Sequence, residues 1–319
     1  MKRENAIDDL RILYIGARIV GHRCLKALLE AGAHIAGLLY LDESKAGVTT
    51  AFCSFDDLIE TYRLPSMPFT TLHDPAVLAW AAERRAEVGM VVGVSQLIGP
   101  ELLTLPRQGF IGMHPTLLPE GRGRAPIPWA IIKGLKRTGV SLFWCDPGAD
   151  TGDLLSQTEI PIYYEDTSAL LGERADLAAA RLLVESLPSL ASGTAQRLPQ
   201  DESRATVWAR RRPEDGLIDW CGSARQVYDW VRALSSPYPG AFTYRAGRKL
   251  WVWEVRESRD QRKGAPGEIL ANLPHGTLVA TGEGNVLLTR VQWDGEYDAG
   301  TGENGLEPGS RFVSGCPQA

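Results

Sequence analysis

The chain of 319 residues is short of three things: paired cysteines, net positive charge and long apolar runs. Each shortage removes a class of protein. The five cysteines (Cys24, Cys53, Cys145, Cys221 and Cys316) are scattered, and none stands in a CxxC pair. That spacing builds neither a disulfide frame nor a zinc site, so free thiols in a reducing compartment are expected. The net charge is -5 and the pI is about 5.7. Such a balance gives no broad electrostatic footprint for nucleic acid, although it leaves room for a local basic patch. No run is long enough to span a bilayer, and the opening MKRENAIDDL has no apolar signal core. A cytoplasmic protein is expected. There is no internal repeat and no metal-ligand cluster.

What is present is apolar material for a large core. Hydrophobic residues make up 44% of the chain, enough for two domains. Residues 10–15 form a short apolar run, followed by Gly16-Ala17-Arg18-Ile19-Val20-Gly21 and a helical pattern to Glu30. This is the strand, glycine turn and helix that open an α/β domain. The glycines do not fit GxGxxG, which argues against a nicotinamide site. A helix start can hold a phosphate, and Arg18 is the charge in that turn, so Arg18 is the candidate substrate contact. Tight strand-to-helix packing explains the same glycines equally well.

Residues 34–40 read as a strand, 42–50 as a polar loop, 54–62 as a helix and 65–70 as a short extended piece. Asp74 starts a helix with Pro75 at its first position. Residues 88–94 carry no polar side chain and read as a buried parallel strand. Gly99 breaks the chain, and residues 100–105 form a brief helix. Asp166 and Thr167 cap a long helix to about Leu187, with Leu170, Leu171, Ala175, Leu177 and Leu182 expected in the core. Residues 192–204 are polar and turn-rich, the expected linker. Residues 210–216, opening with Arg210-Arg211-Arg212, are the densest basic spot, expected on a solvated face or, as the alternative, as a link to the first domain. Residues 223–234 form an amphipathic helix. Beyond Pro237-Tyr238-Pro239-Gly240, short runs alternate with turns, as in a small antiparallel sheet or barrel. Trp251, Trp253 and Trp293 are assigned to its core or an interface in preference to base stacking. Residues 295–309 read as loop.

The chemistry concentrates between Ile111 and Asp153. A histidine ends a short apolar strand at Gly112-Met113-His114. After it come Leu117-Leu118-Pro119, a loop with Gly121, Arg122, Gly123, Arg124 and Pro126, a helix, a second strand at 139–144, and Asp150 in a Gly/Asp turn. Adjacent strand ends lie side by side, so the imidazole and the carboxylate are expected to meet. Histidine as acid/base with a carboxylate as its orienter suits proton transfer. Taken singly, His114 reads more readily as a structural residue, and Asp150 as turn chemistry.

At these residues the chain resembles the 10-formyltetrahydrofolate-dependent formyltransferases. The resemblance rests on the ordered set His114-Pro115-Thr116-Leu117-Leu118-Pro119, Arg122-Gly123 with Pro126, Thr138-Gly139-Val140 and Asp150-Thr151-Gly152. It continues through 211–220 and 236–242. It implies an α/β fold: a Rossmann-like formyltransferase domain with a parallel-rich sheet over residues 1–204, then a small OB-like β domain over 205–319. It implies N10-formyltetrahydrofolate as co-substrate and no metal. His114 and Asp150 match the family's catalytic pair, but its Asn-x-His motif is broken, because Gly112 stands in place of the Asn. Losing one oxyanion donor costs roughly two to three powers of ten in rate. The resemblance places the pteridine against Val94, Ser95, Gln96 and Leu97 and the loop with Asp146, with Leu118 and Arg122 completing the folate site.

The expected amine is a nucleotide-linked amino sugar or another small amine such as a hydroxyornithine, with no nucleic acid and no membrane, and with a homodimer left open. The alternatives are a methionyl-tRNA formyltransferase and a folate-binding homologue that lost catalysis with its Asn. The loop Leu41-Asp42-Glu43-Ser44-Lys45-Ala46-Gly47 lacks the Lys/Arg-rich insertion of the tRNA enzymes, which favours the small amine.

Overall fold

The structure is a computed structural model that describes residues 9–296 and 306–313. Cys316 and much of the 295–309 stretch lie outside them. Two compact units interleave along the chain. One takes residues up to 126, 137–161 and 172–209; the other takes 127–136, 162–171 and 210 onward. The strands in chain order are β1 (Ile12–Gly16), β2 (Ile35–Leu41), β3 (Ser66–Phe69), β4 (Val88–Val92), β5 (Phe110–His114), β6 (Arg122–Gly123), β7 (Arg137–Trp144), β8 (Leu154–Pro161), β9 (Val207–Trp208), β10 (Ala241–Arg245), β11 (Arg248–Ser258), β12 (Ile269–Leu273), β13 (Gly276–Ala280) and β14 (Asn285–Trp293). The helices are α1 (Ile19–Glu30), α2 (Asp56–Tyr62), α3 (Pro75–Glu83), α4 (Pro100–Leu103), α5 (Pro126–Ile132), α6 (Ser168–Ala191) and α7 (Ala224–Leu234).

The first unit is built on a seven-stranded sheet in the order β3-β2-β1-β4-β5-β7-β8. Strands β3 to β5 in that order pair in parallel, whereas β5–β7 and β7–β8 are antiparallel. Every residue of β1 is buried, as continuous apolar strands in a sheet covered on both faces require. The strand order reverses between β1 and β4, and a sheet of this kind opens a ligand crevice beyond the carboxyl ends at such a point. Asp74 caps α3 as expected, its Oδ1 accepting from the Ala76 amide at 2.8 Å with Pro75 behind it. No helix among the described residues is long and apolar enough to cross a membrane.

The second unit carries a five-stranded antiparallel sheet, β10-β11-β14-β13-β12. Its core joins Trp220, Val227 and Val231 to Leu250, Val252, Val279, Val286 and Leu288. A reciprocal Ser223–Gln226 cap starts α7, and α7 buries an Asp229–Arg232 ion pair at 2.7 Å. The α/β fold with a following antiparallel β domain is therefore the one the sequence implied.

Several local expectations are corrected. Leu170 and Leu177 are 50% and 62% exposed, while Leu171, Ala175 and Leu182 are buried. Apolar residues outnumbered the positions on the inward face, and composition alone does not say which ones turn out. Asp166 Oδ2 accepts from the Tyr163 amide at 2.7 Å and closes the turn before α6, and Thr167 Oγ1 accepts from the Leu170 amide. Residues 192–204 are no loose linker, for Leu198 pairs with Leu154 and the Gln196 side chain donates to the Leu155 carbonyl. Arg211 is not on a solvated face but lies between Trp129 and Trp230, at 4.9 and 4.6 Å from the ring centres. Of the three tryptophans expected in the core or at an interface, Trp293 packs against the core, whereas Trp251 and Trp253 alternate with buried Leu250 and Val252, half-buried and stacked on each other, which leaves the interface alternative for them. Cys24, Cys53 and Cys145 are free, but Cys221 is disulfide-bonded. Spacing along the chain could not show this, because a pairing depends on proximity in space.

One half-buried carboxylate gives the first unit a pH dependence. Burial pushes Asp176 on α6 up to about 6, against the pull of Arg23 on α1 with its Nη1 3.0 Å away. The folded state then holds a proton more tightly than the unfolded chain, whose Asp titrates near ~3.9. Stability should fall as pH rises from ~4 through ~6, by about 3 kcal/mol at most. Urea unfolding at a series of pH values measures it, and Asp176→Asn should flatten the curve between ~4 and ~7. An unchanged slope in the variant would remove Asp176 as the cause.

Candidate active site

The site is built around the carboxyl end of β5. His114 is buried and lies across from Ser141 of β7. Because β5 and β7 are antiparallel, β7 ends beside Ile111, not beside His114. The expectation of two neighbouring strand ends is therefore corrected. A run of aliphatic residues reads the same for either strand direction, and the loop from 145 to 153 carries Asp150 back to the histidine. His114 Nδ1 and Asp150 Oδ2 are 3.6 Å apart.

Two glycine-flanked backbone groups set this pair. His114 Nε2 donates to the Gly121 carbonyl at 2.8 Å, and a carbonyl can only accept. In the neutral ring Nε2 therefore carries the hydrogen, and the basic lone pair sits on Nδ1, facing Asp150. The carboxylate in turn accepts from the Gly123 amide at 3.0 Å. Gly121 and Gly123 have φ of +75° and +105°, and a Cβ at Gly123 would stand 2.6 Å from the Trp208 carbonyl oxygen. Only glycine combines that backbone with so close an approach. A buried knot holds the intervening loop: Ser141 Oγ donates to the Thr116 carbonyl and accepts from the Leu118 amide, and Gln157 Nε2 donates to Ser141 Oγ and the Leu118 carbonyl.

The Asn position is filled by packing. A Cβ on Gly112 would lie 2.7 Å from the Phe143 ring and 3.0 Å from Cys145 Sγ. Phe143 is directly opposite Gly112 in the ladder and is itself buried. The Cys145 thiol is pushed up to about 12 by burial, with Asp150 and Asp146 adding to the effect. It is a neutral S–H near pH 7 and no nucleophile.

The remaining expected site residues fall into two groups. Leu118 is buried, Asp146 Oδ1 accepts from Gly148 N and Thr151 Oγ1 within its own loop, and Arg122 is buried with its guanidinium on Gln200 and Glu202. Val94, Ser95 and Gln96 line a cavity beyond the end of β4, and Leu97 follows them in the chain. Ser95 receives Arg18 Nη2 on its hydroxyl at 2.6 Å and Arg124 Nη2 on its carbonyl. Gln96 is tied to the β3 end, accepting from Leu72 N and donating to the Thr70 carbonyl. Leu97 is 61% exposed beside half-buried Val94 and Ile98, an apolar ledge of the kind a flat pteridine ring would cover. The residues present fit such a group. Among the described residues no cluster of His, Cys, Asp and Glu could hold a metal.

The cavity, of about 160 Å³, lies at the β1/β4 reversal. Arg18, Lys45, Thr49, Thr70 and Ser95 line it, and none of its lining residues is acidic. Sequence reading named Arg18 here but missed Lys45, and it missed the Gly121 carbonyl, the Gly123 amide, Phe143 and Gln200. The Gly121-x-Gly123 spacing was the available signal for the first two.

The family models and relatives that the chain matches are those of formyl-transfer enzymes. Residues 21–187 match the family model described as formyl transferase, and residues 210–300 match formyl transferase, C-terminal domain. The chain belongs to the formyl transferase family. It is 33% identical over 311 residues to a methionyl-tRNA formyltransferase of Symbiobacterium thermophilum, covering 95% of each chain. It is 30% identical over 313 residues to one of Pelotomaculum thermopropionicum, covering 97% of this chain and 96% of that one. Among solved structures, HypX from Aquifex aeolicus in complex with tetrahydrofolic acid superposes with a TM-score of 0.65 at 20% identity, over 90% of this chain and 45% of HypX. The N-formyltransferase from Helicobacter canadensis, in complex with folinic acid and dTDP-3-aminofucose, gives 0.66 at 12% identity over 87% and 98%. Both likenesses are of fold.

The packing at Gly112 predicts the result of restoring the family residue. Gly112→Asn should overpack the Phe143 side and cost about 1–3 kcal/mol, and formyl transfer should fall. Phe143→Ala in the same chain should recover part of the stability. Unfolding curves and steady-state rates for the three variants check this, and a faster, equally stable Gly112→Asn enzyme would refute it.

Proposed function

We propose that the chain transfers a formyl group from N10-formyltetrahydrofolate to the amino group of a nucleotide-linked amino sugar. The observation that carries this reading is the cationic cavity with Arg18 and Lys45 at the strand-order reversal. A small substrate with phosphoryl charge would lie against those two side chains while its amine reaches toward β5. We also propose that residues 1–204 do the chemistry and 205–319 form the C-terminal domain.

In this reading the folate supplies an activated one-carbon group that an amine can attack. His114 Nδ1 takes the proton that the attacking amine loses, and Asp150 balances the charge of the resulting imidazolium across the 3.6 Å gap. The same proton returns to the departing nitrogen as its bond to the formyl carbon breaks, so the pair ends as it began. Gly121 holds Nε2 throughout and keeps Nδ1 as the working atom. Gly112 offers no side-chain donor to the formyl oxygen.

A second reading, methionyl-tRNA formyltransferase, is favoured by the 33% and 30% identical relatives. Against it stand the net charge of -5 and the short loop after β2, a 3-10 turn over Glu43–Val48 with Lys45 as its one cation. A folate-binding protein without turnover is the third outcome of the same assay.

Purified protein with N10-formyltetrahydrofolate is offered a panel of nucleotide-linked amino sugars and charged initiator tRNA. Formylated sugar and no tight tRNA binding at physiological salt are expected. Formylation of the tRNA with micromolar or tighter binding would reverse the ranking of the two substrates. With the true amine, His114→Asn and Asp150→Asn should each slow transfer by at least about a hundredfold while the fold survives. Turnover like wild type in either variant would remove that residue from the mechanism.

A further inference from the structure

Asp150 is a non-glycine residue at φ +59°, a left-handed conformation that L side chains adopt at a cost. Something must hold it there. Its own carbonyl and that of Gly152 both accept from Gln200 Nε2, at 2.9 and 2.7 Å. The other end of the same amide is used as fully. Gln200 Oε1 accepts from Arg122 Nη2 at 2.8 Å and Nε at 3.2 Å. The orientation of the amide follows: turned over, it would set its oxygen against two carbonyls and its NH2 against a guanidinium. Arg122 is buried and fixed by Glu202, with Nη2 to Oε1 at 2.6 Å. It stands between Gly121, whose carbonyl orients His114, and Gly123, whose amide holds the Asp150 carboxylate. Gln200 therefore spans from the segment that orients the histidine to the main chain that carries the aspartate.

We propose that Gln200 is a positioning residue for formyl transfer, holding the Asp150 main chain so that its carboxylate faces His114 Nδ1. The proposal rests on the reading of His114 and Asp150 as the acid/base pair. Gln200 acts through Asp150 and needs no contact with substrate.

Gln200→Glu separates its two ends. The acceptor for Arg122 remains, and the two donors to the Asp150 and Gly152 carbonyls are lost. Expected is a fall in kcat of about ten- to a hundredfold, the scale of a small misplacement of a reacting group, with KM for folate and amine within about twofold. In an Asp150→Asn background the change should add nothing further, because both substitutions remove the same effect. Gln200→Met, of similar size and uncharged, controls for the new carboxylate and should behave like Gln200→Glu. Four results overturn the proposal. Unchanged kcat in Gln200→Glu with a slow Asp150→Asn enzyme removes Gln200 alone. Full additivity of the two substitutions makes Gln200 a stabilising residue only. Failure of both Gln200 variants to fold, followed by circular dichroism, does the same. Wild-type rate in Asp150→Asn sinks the acid/base reading itself, and the role of Gln200 with it.

Discussion

The site depends on a two-residue ladder. Arg122 and Gly123 of β6 pair in parallel with Val207 and Trp208 of β9, with Arg122 N donating to the Thr206 carbonyl at 2.9 Å and Arg124 N to the Trp208 carbonyl at 3.1 Å. Gly121 N adds a bond to Thr206 Oγ1 at 2.8 Å. So short a ladder is marginal by itself. It is secured by burying the Arg122 guanidinium, a group whose removal from water costs several kcal/mol unless its donors are satisfied. They are satisfied by Gln200 and by Glu202, whose side chain remains 67% exposed. Desolvation thus falls mainly on one partner, and the carboxylate keeps its hydration. Because Gly121 and Gly123 lie on either side of Arg122, the imidazole and the carboxylate both take their positions from this one segment.

Gly112 follows from the neighbouring strand in the same way. The antiparallel register sets Phe143 across from residue 112, and the volume an Asn would occupy is already taken by a buried ring and the Cys145 sulfur. Interiors are packed to near crystal density, so position 112 and position 143 cannot be chosen separately. A decayed site would leave a void beside its missing group. Here the void is filled, and His114, Asp150 and their backbone partners are in place. That combination is what a fitted variant of the site would show.

Much of the architecture was legible in the sequence. Continuous apolar runs located β1, β2 and β4, and Asp74-Pro75 located the start of α3; His114 and Asp150 do meet, but through the return of the 145–153 loop and not through neighbouring strand ends. The less legible features share a physical cause: they rest on contacts between residues far apart in the chain. Strand direction at β7 leaves no mark on an apolar run. Gln200 sits 50 residues from Asp150 in a polar stretch that resembles any solvated segment. Arg211 in a basic triplet looks solvated until Trp129 and Trp230 are found on either side of it. Leu170 and Leu177 satisfy the composition of a core helix but not its phase. The disulfide at Cys221 could not be seen from spacing.

The tautomer at His114 constrains where an amine can come from. With Nε2 committed to the Gly121 carbonyl, a proton can be received only at Nδ1, on the side where Asp150 stands. In the reading proposed above, the attacking nitrogen would enter between the β5 end and the 145–153 loop. Arg18 and Lys45 lie elsewhere, at the ends of β1 and β2, with the β4 rim at Val94 and Ser95 bordering their cavity. In the sheet order β2-β1-β4-β5, these cations and His114 are on different strands, with β4 between β1 and β5. A substrate that used both would need its anion separated from its amine by a rigid spacer. A sugar ring between a phosphoryl group and an amino group supplies such a spacer at low conformational cost. A flexible small amine would lose more entropy in reaching both ends, and this is the argument for proposing the nucleotide-linked sugar over a free amino acid side chain.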